Sequence, residues 1–228
     1  MYPSVRAYFP RFTAPLEGDV RFMYLDVLGK VTTGKGNLID SVQAAQRLRW
    51  QFKGSPGTVA SPAQVEAEWK MVKSRSDLKS QGGRAYAAIT GLEISQETLA
   101  TLVNDTLTQF EKFLKGYFSD YESWPADAQL GLLSMAWAMG PGFVPRWPKF
   151  TAACLQQDFV TAARECRMRE TGNAGLKPRN DADQILFINA AVVTSSENGY
   201  QRSQLYYPKV LLAEPLQHVM PVGGFSRR

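Results

Sequence analysis

The run "ADAQLGLLSMAWAMG", residues 126–140, constrains the fold more than any other stretch. It is apolar on nearly every side, so as a helix it has no face to give to water. It is also shorter than the roughly 18 apolar residues that a bilayer span needs. What remains is a central helix, opened after Pro125, ended at Gly140 and wrapped by other elements.

Helical patterns follow on both sides. "ISQETLATLVNDTLTQFEKFLKGYF" predicts a helix beginning after Ser95, with an apolar stripe of Leu99, Leu102 or Val103, Leu107, Phe110 and Leu114. "TAACLQQDFVTAARECRMRE" reads as helical in two pieces, and "RNDADQILFINAAVV" as one more helix; "PGFVPRWPKF" and "GNAGLKP" read as loops. Nearer the start, residues 3–17 form a helical entry with Pro3 at a first helical position and Gly18 as C-cap; Pro10 is expected to split it into two short helices. Val42, Ala45, Leu48 and Phe52 recur at helical spacing and predict a helix over 40–52. Ser61, Pro62 and Gln64 make a capping box for a helix running to about Lys73, and "SQGGR" reads as a loop. The tail beyond Gly199 carries no pattern that places it.

One segment departs from helical spacing. "DVRFMYLDVL" alternates and is rich in β-branched and aromatic residues; "LGK" offers a turn, and "VTTG" reads as a return strand. The class is therefore α+β and mostly helical, with one small hairpin region among many helices. At 228 residues and 44% hydrophobic, the chain suffices for one large domain or two lobes sharing a core.

Charge and chemistry-bearing residues narrow the function. A net charge of +5 favours anionic partners such as nucleic acid, membrane surfaces or wall polymers without choosing among them. Cys154 and Cys166 read as buried free thiols. The single histidine, His218, makes His-based catalysis and His-rich zinc sites improbable, and no metal or cofactor site is suggested. "MYPSVRAYFPRF" lacks a signal peptide's apolar core, so the expectation is synthesis in the cytoplasm.

"GKVTTGKGN" poses a choice. Gly29, Gly34 and Lys35 stand at the spacing of a phosphate-binding loop. Such a loop needs Ser or Thr after the lysine, and Gly36 stands there. It also follows a buried parallel strand, whereas the strand here reads as half of a hairpin, so nucleotide binding is set aside. The alternative lies just upstream. Glu17 ends an apolar helical segment, with Phe12, Leu16 and Phe22 as candidate neighbours; such surroundings raise a carboxyl's pKa, as a general acid requires. Asp26 lies near the turn in a more polar setting that keeps a carboxylate ionised, and Thr32 across the hairpin offers a hydroxyl to hold a water. Two carboxyls in unlike environments with a positioned hydroxyl fit glycosidase logic, and also fit a helix cap beside ordinary surface charge.

"EGDVRFMYLDVLGKVTTGKGN" resembles the signature of phage-type lysozymes: E-G, then Y-x-D-x-x-G-x-x-T-x-G-x-G, usually followed by His. Glu17, Gly18, Tyr24, Asp26, Gly29, Thr32, Gly34 and Gly36 match without a gap; Asn37 replaces the His. More loosely, "GLKPRNDADQIL" is similar to G-L-x-x-R-R-x-x-E-x-x-L: Gly175, Leu176, Arg179 and Leu186 match, Asn180 replaces the second Arg, and Asp183 replaces Glu.

The resemblance implies a lysozyme-like two-lobed fold in a single domain. Its hairpin lobe would cover about 12–94 with an enlarged insert at 38–94, its helical lobe about 95–199, and an extension 200–228. It implies a muramidase that cleaves the β-1,4 bond between N-acetylmuramic acid and N-acetylglucosamine, with Glu17, Asp26 and Thr32 catalytic, Tyr24, Gly34, Gly36, Asn37 and Arg179 in substrate binding, and no cofactor. The partner would be bacterial peptidoglycan in the periplasm or wall, reached as an endolysin or as an injected antibacterial effector. The second setting adds a cognate immunity protein or secretion component; neither involves nucleic acid or membrane insertion. Trp137 and Met139 read as core before ligand. The alternatives are a lytic transglycosylase using Glu17 alone, or a non-catalytic wall-binding or structural module.

Overall fold

The computed structural model describes residues 1–172, 174–195 and 199–211; His218 lies outside them. The fold is α+β and mostly helical, at 60% helix with small antiparallel sheets. The chain divides into two compact units: Glu17–Thr106 forms one, and Met1–Leu16 joins the chain from Leu107 onward in the other. Among the described residues no helix is long and apolar enough to cross a membrane.

The Glu17–Thr106 unit begins where helix α1 (Pro3–Glu17) ends. Strands β1 (Val20–Leu25), β2 (Val31–Gly34) and β3 (Asn37–Leu38) follow as an antiparallel sheet in the order β1-β2-β3. The expected hairpin is present, with β2 as its central strand. Helix α2 is short (Val42–Gln46), because Trp50–Phe52 leaves the helical path to become β4 and pairs antiparallel with β5 (Leu92–Ile94). The expected helix over 40–52 is thus corrected to a single turn and a strand. Trp50 is drawn inward instead: its ring is buried and its indole Nε1 donates to Ala45 O at 2.8 Å.

Helix α3 (Pro62–Ser74) starts at the expected capping box, in which Ser61 and Gln64 each bond the other's backbone N–H. The "SQGGR" loop resolves into short 3-10 turns, Ser76–Gln81 and Gly83–Tyr86, that pack on β1. The enlarged insert therefore backs the hairpin with structure of its own. Helix α4 (Gln96–Tyr117) closes the unit, burying Leu99 and Val103.

In the other unit α1 is one continuous helix, although it contains Pro10 and Pro15. Both prolines are exposed, so the carbonyls that lose their partners face water, while Val5, Phe9 and Phe12 are buried and hold the helix from the opposite side. The expected split at Pro10 is corrected accordingly. Helix α5 (Ala126–Met139) is the central helix: every side chain from Ala126 to Ala136 is buried. Helix α8 (Lys177–Ser195) packs along it, α7 (Phe159–Glu165) packs on α8, and α6 (Pro148–Leu155) packs on α7. "PGFVPRWPKF" holds a 3-10 turn and the start of α6 instead of only a loop. Cys154 and Cys166 are buried free thiols, as expected.

A buried polar hub helps to tie the segment 199–211 to this unit. Asp127 accepts from the backbone N–H groups of Tyr206 (2.9 Å) and Tyr207 (3.0 Å) and from Asn189 Nδ2 (2.8 Å). Asn189 also accepts from Leu211 N and donates to Lys209 O, both at 2.8 Å.

Candidate catalytic site

Four of the residues expected in catalysis or substrate binding come together on the three-stranded sheet. Tyr24 on β1 and Thr32 on β2 are direct cross-strand partners. Residues so placed hold their side chains on one face of the sheet about 5 Å apart. Asp26 follows β1 at the turn, and Glu17 precedes β1 as the last residue of α1.

The turn fixes Asp26 tightly. Its backbone N–H donates to Lys30 O and its carbonyl accepts from Gly29 N, each at 2.9 Å. Its carboxylate Oδ1 accepts from Leu28 N at 2.9 Å and Lys30 N at 2.8 Å. One carboxylate oxygen is thus committed to the turn, which leaves Oδ2 to meet a ligand or water. Thr32 is 3% exposed. Its hydroxyl donates to Lys30 O at 3.2 Å, so its oxygen keeps lone pairs to accept a further hydrogen bond.

Tyr24 reports the field of the site. Burial first, and then the charges of Glu17 and Asp26, push its phenol up to about 12 against a hydrogen bond from the Gly36 backbone that works the other way. Both carboxyls therefore act on one phenol, and at neutral pH that phenol keeps its proton. The Tyr24 ring is packed from the insert: a Cβ at Gly83 would lie 3.0 Å from it, so a larger residue there would have to push the ring back by a few tenths of an ångström.

The glycines of the motif shape the same sheet. Gly18, Gly29, Gly34 and Gly36 all take positive φ. Gly34 is the most constrained, at φ +64 with Asn37 Oδ1 and Leu99 Cδ1 at 2.9 and 3.0 Å from where a Cβ would stand. Asn37 donates through Nδ2 to Thr106 Oγ1 at 3.4 Å, and its buried Oδ1 has no donor among the described residues. Lys35 is not a phosphate lysine: it is buried and ion-paired with Asp19 Oδ1 at 2.7 Å, and its loop joins antiparallel strands.

Arg179 belongs to the other unit, is 3% exposed, and donates to Ser134 O at 3.1 Å and Ser134 Oγ at 3.0 Å. Its motif partners are internal too. Asn180 is buried and bonds both the N–H and the carbonyl of Met168, each at 2.8 Å. Asp183 is buried beside Arg179 and Ser134, and burial pushes its carboxyl up to about 7. The "GLKPRNDADQIL" stretch therefore builds the interior of the helical unit. Trp137 packs on Phe9 and Phe110 with ring centroids 5.0 and 5.7 Å apart. It is half-buried, as is Met139.

Sequence reasoning missed Gly83 and the turn donors Leu28 and Lys30. Gly83 had no signal beyond a Gly-Gly pair, whereas an Asp at the start of a tight turn is a recognised acceptor for the amides that follow. Among the described residues no group of three or more His, Cys, Asp or Glu is placed to hold a metal ion. No protein-family model and no curated protein matches the chain.

Proposed function

We propose that the chain is a peptidoglycan muramidase, with Glu17 as general acid and Asp26 and Thr32 as holders of the attacking water. The observation that supports this best is local: two carboxyls act on one half-buried phenol, and Thr32 is the cross-strand partner of that tyrosine on the same sheet. In this reading Glu17 gives its proton to the glycosidic oxygen as the bond to the muramic acid C1 breaks. A water donates one hydrogen to Asp26 Oδ2 and the other to Thr32 Oγ1 while its oxygen attacks that carbon. Asp26 takes the water's proton, and proton exchange with solvent restores both carboxyls. In this reading Tyr24, Gly34, Gly36 and Asn37 form the sugar-binding part of the site. The biological outcome is lysis of a bacterial wall, by an endolysin or an injected antibacterial effector.

The test is digestion of purified peptidoglycan by the wild type and by Glu17→Gln, with the fragments identified by mass spectrometry. Reducing muramic acid ends are expected from the wild type, with a loss of about 10²–10⁴-fold in the variant. Anhydro products would instead assign a lytic transglycosylase. No release from several wall types by folded wild-type protein would end the enzymatic reading.

A further inference from the structure

A cavity in the Glu17–Thr106 unit shares no residue with the hairpin site. It has a volume of ≈ 400 Å³ and is lined by Arg49, Gln51, Gly57, Ser95, Glu97, Thr98 and Thr101. β4 supplies Gln51, with Arg49 just before it, and the first turns of α4 supply Glu97, Thr98 and Thr101.

The lining carries one cation and one anion, Arg49 and Glu97. Neither the Arg49 guanidinium nor the Glu97 carboxylate makes a hydrogen bond or ion pair among the described residues, with each other or with any neighbour. The neutral groups of the lining are held in place. Gln51 accepts from Gly57 N at 3.2 Å, Ser95 Oγ and Thr98 Oγ1 lie 3.1 Å apart, and Thr101 donates to Glu97 O at 3.0 Å. The hydroxyl oxygens keep lone pairs for further contacts.

This chemistry selects a ligand class. A simple anion such as phosphate would meet Arg49 but be repelled by Glu97, and a simple cation the reverse. An apolar ligand would strand the hydroxyls and the amide. No aromatic ring lines the cavity, so a sugar finds no stacking platform. A group carrying an ammonium and a carboxylate close together satisfies both charges, and Arg suits the planar carboxylate. Peptidoglycan stems end in such groups. We propose that this cavity binds the amino-carboxylate end of a peptidoglycan stem peptide. The choice of stem, over any other amino-carboxylate, rests on the muramidase reading.

The experiment is calorimetric titration of the full chain with the free stem tripeptide L-alanyl-γ-D-glutamyl-meso-diaminopimelate, beside Arg49→Ala and Glu97→Gln. Both side chains are exposed, so both variants should fold. Saturable binding by the wild type, weakened at least tenfold in each variant, is expected. No saturable binding, or equal binding by all three proteins, overturns the proposal. A second readout compares hydrolysis of intact peptidoglycan with that of glycan strands stripped of their stems. Arg49→Ala should be slower than wild type on the intact wall and equal to it on stripped strands; equal slowing on both substrates overturns the proposal. Tripeptide binding without any hydrolysis would sink the muramidase reading and leave the cavity's ligand class standing. Hydrolysis without tripeptide binding would do the opposite.

Discussion

Substituting Gly34 separates two costs that usually come mixed. Gly34→Ala places a Cβ at φ +64, 2.9 Å from Asn37 Oδ1 and 3.0 Å from Leu99 Cδ1. The left-handed backbone costs an L-residue roughly 1–2 kcal/mol. The contacts fall well inside the 3.5–4.0 Å at which carbon atoms rest, and overpacking of this kind adds about 1–3 kcal/mol. Gly36→Ala is the control: its φ is +89, but nothing lies within 4 Å of the new Cβ. It should show the backbone cost alone. The expected result is about 3 kcal/mol for Gly34→Ala, a fall of roughly 6–12 °C in Tm, and about half that for Gly36→Ala. Urea titration read from the amide signals of β1 and β2 reports on this unit directly. Equal losses at the two positions would refute the packing argument, and a loss under about 0.5 kcal/mol at Gly34 would refute the strain argument too.

Three further outcomes follow from buried polar groups and caps. Because burial raises the folded pKa of Asp183 from 3.8 to about 7, its contribution to stability is full below pH ~4 and is lost as pH rises to ~7. That shift corresponds to roughly 4 kcal/mol, and Asp183→Asn should flatten this part of the pH profile in urea midpoints taken between pH 4.5 and 7.5. Asp127→Ala removes the acceptor for the amides of Tyr206 and Tyr207 and for Asn189; we expect a loss of about 2–4 kcal/mol, with faster proteolysis within 199–211. Unchanged cleavage there would show that other contacts hold this segment. Ser61→Ala opens the capping box of α3 and should lower stability by about 1 kcal/mol, checked by thermal unfolding.

Local signals carried the sequence reading, and their absence marks where it failed. The α3 cap is written in Ser61, Pro62 and Gln64, and α5 in a run of apolar residues with no face for solvent. The β1–β2 hairpin announces itself by alternation and its glycines. β4 and β5 do not: each is three residues long, and they find each other across some forty residues of chain. Val42 to Phe52 keeps helical spacing throughout, so the pairing of Trp50 with Ile94 overrides a pattern that points elsewhere. Pro10 misleads for the opposite reason, since the rule for proline is local and the burial of Val5, Phe9 and Phe12 that outweighs it is tertiary. At the candidate site, the alternation and the turn place Thr32 across the hairpin from Tyr24, and the strand pairing agrees. The Gly83 contact on Tyr24 came from a distant turn that no local pattern connects to the hairpin.

The split of the helical unit has a consequence for how the chain is made. Val5 and Phe9 are fully buried against a body that does not exist until the chain beyond Leu107 has emerged. About 90 residues lie between, which at ribosomal rates of ~5–20 residues per second is roughly 5–18 s. Through that interval the nascent α1 holds an apolar stripe with nothing to cover it, while the Glu17–Thr106 unit is being synthesised. A chaperone that reads exposed aromatic side chains has its opening there, in this helix, and begins to lose it once the chain beyond Leu107 follows.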